Sequence, residues 1–322
     1  MQYLEIKGVN KKISRIFCGT ATKPYNLGGD CCDIFDSMLA LGVNAFDTAR
    51  VYGGAERALG KWIARGGVRE KIVILSKCCH PNILGVKRVN ARAMRADLKR
   101  SLEELGTDYI DIYLLHRDNP SVPAGEIVEE LNAIHAEGRI GAFGGSNWTH
   151  ERLEAAQEYA YSHNLIGFSV SSPNFSLAEQ VRDIWGGGVS ISGESGAAAR
   201  QWYKKSGMAV IAYSSLARGL FSGKAKSADP VGARAVLDEF AIKGYFSEEN
   251  FVRLSRCEEL ARIKGVTVAQ AALAYVLCQP FPSFAAVSCS RAERMSENLR
   301  SLDVHFTADE IAYLELEKDS LN

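Results

Sequence analysis

The chain has 322 residues, enough for two ordinary domains or for one α/β barrel, and its 47% hydrophobic and 24% charged residues exclude disorder. Lysine plus arginine and aspartate plus glutamate each number 38, so no net charge attracts nucleic acid or an anionic membrane. The N-terminal stretch lacks the apolar core of a signal peptide, and no apolar run reaches the roughly 18 residues of a membrane span. We therefore expect a cytoplasmic protein without a nucleic-acid or membrane partner.

Apolar runs rich in β-forming residues recur eight times along the chain. They are ISRIFCG from residue 13, VNAFD from 43, KIVILSK from 71, YIDIYLLH from 109, RIGAFGGS from 139, LIGFSVSS from 165, MAVIAYSS from 208 and FAAVSCS from 284. Such runs are typical of parallel strands buried on both faces, and helical patterns lie between them. The alternation predicts an α/β fold, a (β/α)8 TIM barrel, and no linker divides it, so we expect one domain over residues 1–322.

Three segments depart from a plain barrel. Residues 2–17 predict a short hairpin over the barrel floor, and the pattern leaves open whether its last strand is instead the first barrel strand. A glycine-rich segment over 185–196 and a longer one over 218–246 predict inserted loops, because neither fits a short strand-to-helix connection. The second is expected to lie over the mouth of the barrel.

Several helix boundaries are marked in the sequence. An apolar stripe predicts a helix from Ala55 that stops before Gly66 and Gly67. Three pairs have the spacing of a capping box at a helix start: Thr267 with Gln270, Ser290 with Glu293, and Thr307 with Glu310.

The eight cysteines include no C-x-x-C pair and predict buried, reduced thiols. Cys78, Cys79 and His80 are the best candidates for a metal site. Neighbouring side chains on an extended segment point to opposite faces, so we expect no metal there.

Polar residues stand at or just after the ends of the second, third and fourth predicted strands. Asp47 closes the second run, Lys77 the third and His116 the fourth, while Tyr52 lies in the loop after Asp47. Because all strands of a parallel barrel deliver their carboxyl ends to one rim, these four side chains are expected in one pocket. Each alone has an ordinary explanation, such as a cap or a solvated strand end, but as a set they indicate a site.

The chemistry of this set follows from its charges. An ammonium near a tyrosine favours the phenolate, so Lys77 is predicted to lower the pKa of Tyr52. Asp47 would keep the buried lysine charged, and His116 would orient a substrate oxygen. Asp111 and Asp118 are expected to be salt-bridge or turn residues.

Five stretches resemble, in order, the successive motifs of the aldo-keto reductase superfamily: FDTARVYGGAERALGKW, ILSK, LGTDYIDIYLLH, GGSNW and AYSSLARGLFSGK. The resemblance implies a barrel that binds NADP(H) without a Rossmann domain and reduces an aldehyde or ketone, or oxidises the alcohol or sugar. It places Asp47, Tyr52, Lys77 and His116 at the catalytic tetrad, with Tyr52 as the general acid or base.

The resemblance also implies cofactor contacts, which Asp47 would share with its catalytic role. They are Gly19 and Thr20 near the nicotinamide ribose, Ser146 and Asn147 at the carboxamide, Ser172 in place of the usual glutamine, Phe175 as the stacking ring, and Tyr213, Ser214, Leu216, Arg218, Gly219 and Ser222 along the pyrophosphate.

The eighth strand end bears on coenzyme choice. Ser290 is expected to cap a helix whose N-terminus attracts an anion, and Arg294 to bind a phosphate. Asn298 matches an adenine contact. Ser288 stands where family members that prefer NADP often have lysine, so NAD(H) remains an alternative.

Two other functions stay open at this point. One is a Schiff-base aldolase that uses Lys77 as nucleophile. The other is a nucleotide-binding regulatory protein with slow turnover, similar to the channel-associated β subunits of the superfamily. Five aromatic residues are expected either to form an apolar substrate wall or to be ordinary packing: Tyr25, Trp148, Phe221, Tyr245 and Phe246.

Overall fold

The computed structural model describes residues 1–321. In this range the strands are β1 (Tyr3–Leu4), β2 (Ile13–Ser14), β3 (Ile16–Gly19), β4 (Ala45–Asp47), β5 (Val73–Cys78), β6 (Ile110–Leu115), β7 (Ile140–Ser146), β8 (Val170–Ser172), β9 (Ala209–Ala212) and β10 (Ser283–Ser288). The α-helices are α1 (Cys32–Ala40), α2 (Ala55–Ala64), α3 (Ala91–Leu105), α4 (Ala124–Ala136), α5 (His150–Ser162), α6 (Ala197–Ser206), α7 (Pro230–Val236), α8 (Glu239–Tyr245), α9 (Glu248–Lys264), α10 (Val268–Leu277), α11 (Ala292–Leu299) and α12 (Ala308–Leu314).

Strands β3 to β10 form a closed parallel barrel in sequential order, with β10 paired back onto β3. The predicted (β/α)8 fold is confirmed. Alternate strand residues such as Phe17, Leu75 and Phe284 form a core inside the barrel, and the residues between them pack outward against the helices. Because each strand is covered on both sides, its sequence is apolar almost throughout.

The N-terminal hairpin is also present. Strands β1 and β2 pair antiparallel, and Ile6 and Ile13 join the core inside the barrel. The run from residue 13 is divided at Arg15, so its first part belongs to the hairpin and its second part is the first barrel strand. Lys11 then pairs with Asp111 at the beginning of β6, which ties the hairpin to the amino end of the barrel.

Asp111 and Asp118 are salt-bridge residues, as predicted. Asp111 also pairs with Arg69, and Asp118 pairs with Arg152. Neither carboxylate lines the cavity described below.

Two of the three predicted capping boxes are confirmed, at Thr267 and Thr307. The third is wrong. Helix α11 begins at Ala292 after Arg291, which has extended backbone (φ −133°, ψ 133°) and makes no side-chain cap hydrogen bond. Ser290 lies one residue too early and is exposed.

The two inserted segments contact each other. The second contains α7 and α8, and the ring of Phe240 in α8 stacks on Trp185 of the first, with centroids 5.3 Å apart. Arg218 lies over both rings and pairs with Asp238 at 2.6 Å. These contacts join the segments above the carboxyl ends of the strands.

Within residues 1–321, no single helix is long and apolar enough to cross a membrane. Helices α9 and α10 reach that length and composition only when taken together, and they meet at an angle of 99°. All eight cysteines are free thiols, and all except Cys278 are buried.

Candidate active site

A cavity of about 790 Å³ opens at the carboxyl ends of the barrel strands. Asp47 is the last residue of β4, Lys77 is the second-to-last residue of β5, and His116 directly follows β6. Together with Tyr52 they all line the cavity. The barrel therefore brings the four predicted residues together from separate parts of the chain.

Lys77 is the central cation of the site and is only 3% exposed. Its ammonium forms an ion pair with Asp47, donates a hydrogen bond to the Thr48 carbonyl at 3.0 Å, and lies 3.5 Å from the Tyr52 hydroxyl. Burial is the largest single effect and opposes its charge, but the charges and hydrogen bonds of Asp47 and Tyr52 together raise the pKa of Lys77 above its ordinary value. The lysine is therefore charged at neutral pH.

The prediction for the pKa of Tyr52 is wrong in sign. Burial raises it by more than the Lys77 ammonium lowers it, so the pKa of Tyr52 lies above its ordinary value. Desolvation penalises a phenolate and the nearby Asp47 carboxylate adds to that penalty, so the Lys77 ammonium at 3.5 Å does not offset it. The phenol is therefore protonated at neutral pH and available as a proton donor.

His116 is buried beside Tyr52, with the two rings edge to face at 5.6 Å. Burial, followed by the charges of Lys77 and Arg117, lowers the pKa of His116 well below its ordinary value, so the imidazole is neutral. Its buried Nδ1 has no hydrogen-bond partner among the described residues. Buried polar atoms are normally paired, so this nitrogen marks a point where a ligand would complete the network.

Asn147 connects several strand ends. Its Nδ2 donates to the His116 carbonyl and to Ser146 Oγ, while its Oδ1 accepts from the Tyr213 hydroxyl at 2.6 Å and from the Val189 backbone. The amide is fully used by the protein. A nicotinamide carboxamide could hydrogen-bond to Asn147 only by replacing one of these protein partners.

Most of the predicted cofactor residues line the cavity: Gly19, Asp47, Ser146, Asn147, Tyr213, Ser214, Leu216, Arg218, Gly219, Ser222, Ser288 and Arg294. Five do not: Thr20, Ser172, Phe175, Ser290 and Asn298. The hydroxyl of Thr20 donates to the Asp47 carbonyl, and the Ser172 carbonyl accepts from the Ser146 hydroxyl. Both residues therefore hydrogen-bond to cavity-lining residues without lining the cavity themselves.

Phe175 is not the stacking ring at this cavity. Its side chain is fully buried and packs against Tyr275 and Phe281 in the outer core. The aromatic ring that lines the cavity from the neighbouring strand end is Tyr213.

The proposed aromatic wall is ordinary packing. Tyr25, Trp148, Phe221 and Tyr245 are fully or almost fully buried, and none of the five aromatic residues lines the cavity. Trp185 supplies aromatic surface at the mouth of the cavity. From the sequence it was assigned only to the 185–196 insertion.

Several cavity residues were not assigned a role from the sequence: Ala21, Thr22, Val51, His80, Arg117, Ser215, Lys224, Val236, Leu237, Asp238, Ala286 and Val287. Arg117 carried a usable signal, since it directly follows a strand-end histidine. Val236, Leu237 and Asp238 carried none, because they reach the cavity through the fold of an insertion.

The chain is similar in sequence to several known proteins. It is 27% identical to the uncharacterized oxidoreductase YrpG of Bacillus subtilis, covering 94% of this chain and 92% of that protein. It is 28% identical to a putative voltage-gated potassium channel subunit beta of Schizosaccharomyces pombe (82% and 76%), and 26% identical to the norsolorinic acid reductase stcV of Emericella nidulans (88% and 70%). A sequence model of the aldo/keto reductase family matches residues 29–316, and this chain belongs to that family.

Proposed function

We propose that the protein is an NADP(H)-dependent oxidoreductase that interconverts an aldehyde or ketone and the corresponding alcohol, with Tyr52 as general acid or base. One observation carries the proposal. The Tyr52 hydroxyl lies 3.5 Å from a lysine that is ion-paired with Asp47, and all three groups line one cavity beside the unpartnered nitrogen of His116.

The cavity also suits a dinucleotide. The loop after β9 lines the cavity. In this loop Ser214 and Arg218 have left-handed backbone conformations (φ 56° and 52°). Exposed Lys224 and Arg294 add positive charge for phosphate groups, and Ser146 and Tyr213 flank the tetrad. When bound there, the nicotinamide supplies or accepts the hydride.

The side chains of this protein supply the proton and the orientation. Tyr52 donates its proton to the carbonyl oxygen during reduction, and the Lys77 ammonium stabilises the phenolate that forms. Asp47 holds that ammonium in place. His116, being neutral, donates a hydrogen bond to the same oxygen and aligns the carbonyl with Tyr52.

The same proposal covers location and partners. The even balance of charges supports the absence of a nucleic-acid or membrane partner, and the cavity supports a small-molecule substrate; we place the protein in the cytoplasm as part of the same proposal. The family match over residues 29–316 supports one functional domain.

A nucleotide-binding regulatory protein is the second candidate, because some relatives are named as potassium channel β subunits. The complete set of Asp47, Tyr52, Lys77 and His116 favours turnover. A Schiff-base aldolase is less favoured, since the amine must be neutral to attack a carbonyl and Asp47 holds Lys77 in its charged form.

We expect NADPH, and less efficiently NADH, to be oxidised when a panel of aldehydes and ketones is added. Nicotinamide absorbance measures the turnover. Fluorescence titration measures coenzyme binding in the absence of substrate. Coenzyme binding without oxidation by any carbonyl, and without reduction of NADP⁺ by any alcohol, would favour the regulatory protein.

Arg294 is expected to decide the preference for NADPH. Charge-assisted hydrogen bonds to phosphate contribute about 1.5–3 kcal/mol, so Arg294→Ala should weaken NADPH binding by about ten-fold or more and NADH binding by less than about two-fold. The matched control is Arg291→Ala, because Arg291 is a neighbouring exposed arginine that does not line the cavity. Equal affinities for both coenzymes in the wild type and both variants would contradict the NADP(H) assignment.

A further inference from the structure

Arg117 is a buried cation of the active-site cavity that has no carboxylate partner. It is 8% exposed and lines the cavity directly after His116. The other cavity cations differ from it, because Lys77 pairs with Asp47, Arg218 pairs with Asp238, and Lys224 and Arg294 are exposed. Among residues 1–321, no carboxylate lies within 4.0 Å of the Arg117 guanidinium.

Backbone contacts hold the guanidinium in place. Its Nε donates to the Gly186 carbonyl at 3.1 Å, and Nη1 donates to the His116 carbonyl at 2.8 Å. A guanidinium has five N–H donors, so these two bonds leave three without a protein acceptor. The glycine-rich segment packs closely on this side chain, since a Cβ at Gly187 would lie 3.6 Å from Arg117 Cδ.

The charge of Arg117 is felt by the reactive groups. Burial raises the pKa of Tyr52, and the charge of Arg117 opposes that rise only slightly; burial lowers the pKa of His116 and of His80, and Arg117 adds to both decreases. Its hydrogen bond to the His116 carbonyl places the guanidinium at the same end of the cavity as these groups. Asp183, the acidic residue of the adjoining segment, uses its carboxylate to accept hydrogen bonds from the Trp185 and Gly188 backbones.

A buried guanidinium without a counter-ion is unfavourable, and a carboxylate matches its paired N–H donors in a bidentate contact. We propose that Arg117 binds a carboxylate of the substrate, so that the preferred substrates are oxo acids or aldehyde acids. The proposal rests on the carbonyl reductase function proposed above. Because His116 and Arg117 are adjacent, the first would hold the carbonyl oxygen and the second the acid group of the same molecule.

A matched pair of substrates tests this assignment. 4-Carboxybenzaldehyde and its neutral ester, methyl 4-formylbenzoate, carry the same aldehyde and differ in charge. We expect the wild type to prefer the acid by about ten-fold or more in kcat/KM. In Arg117→Met, the acid-to-ester ratio should fall by about ten-fold to a hundred-fold, mainly through KM for the acid, and Arg117→Lys should restore part of it.

Two results would overturn the proposal. One is an unchanged acid-to-ester ratio in Arg117→Met, which would make Arg117 a support for the 185–188 segment only. The other is a loss of NADPH affinity with the ratio preserved, which would assign the guanidinium to the coenzyme.

A binding measurement separates this inference from the proposed function. Terephthalate carries a carboxylate but no carbonyl to reduce, so calorimetry with terephthalate does not depend on turnover. We expect it to bind the wild type at least about ten-fold more tightly than Arg117→Met. Turnover of the ester together with equal terephthalate binding to both proteins would reject the role of Arg117 while leaving the reductase function intact. The reductase function is rejected separately, by the absence of turnover across the whole panel of carbonyls and alcohols described above.

Discussion

Replacing Tyr52 with phenylalanine should reduce kcat for carbonyl reduction by about 10³-fold while leaving the Kd for NADPH within about two-fold. The Tyr52 phenol is protonated at neutral pH because burial raises its pKa. Its hydroxyl lies 3.5 Å from the Lys77 ammonium. Phenylalanine keeps the ring against His116 and removes only the proton donor. Steady-state kinetics and coenzyme titration measure the two quantities separately.

The control for this variant is Tyr213→Phe. Tyr213 lines the same cavity, but its hydroxyl donates to Asn147 and is not paired with a cation. We expect its loss to lower kcat by no more than about ten-fold, as for one neutral hydrogen bond. An unchanged kcat in Tyr52→Phe would show that another group donates the proton.

Replacing Lys77 with methionine should lower both activity and stability. Lys77 and Asp47 are 3% and 7% exposed, and removing one member of a buried ion pair leaves the other charge without compensation. We expect the free energy of unfolding to fall by about 3–5 kcal/mol and kcat to fall by about 10²-fold or more. Urea unfolding and steady-state kinetics measure these changes.

The double variant Asp47→Asn/Lys77→Met separates the two effects. It removes both charges, so we expect it to recover most of the lost stability and none of the lost activity. If the double variant is as unstable as the sum of the two single variants, the pair does not interact as the structure indicates. If it regains activity, the ammonium is not required for proton transfer.

The sequence determined the fold and the position of the tetrad. Eight apolar runs predicted eight barrel strands, since strands covered by helices must be apolar on both faces. Asp47, Lys77 and His116 followed from the same pattern, because a parallel barrel gathers all its strand ends at one rim. These predictions depended on the local pattern of apolar residues and on the rule that parallel barrel strands end at the same rim. Both can be applied to the sequence alone.

The tertiary structure alone decided what surrounds those side chains. Phe175 turns into the outer core, the helix after β10 begins one residue later than its capping pattern indicates, and burial reverses the expected pKa shift of Tyr52. The position of Arg117 after His116 can be read from the sequence, but its burial and its contact with the Gly186 carbonyl of the 185–196 segment come from the tertiary structure. Desolvation, side-chain direction and the absence of a counter-ion arise from residues distant in the chain, so no local pattern encodes them.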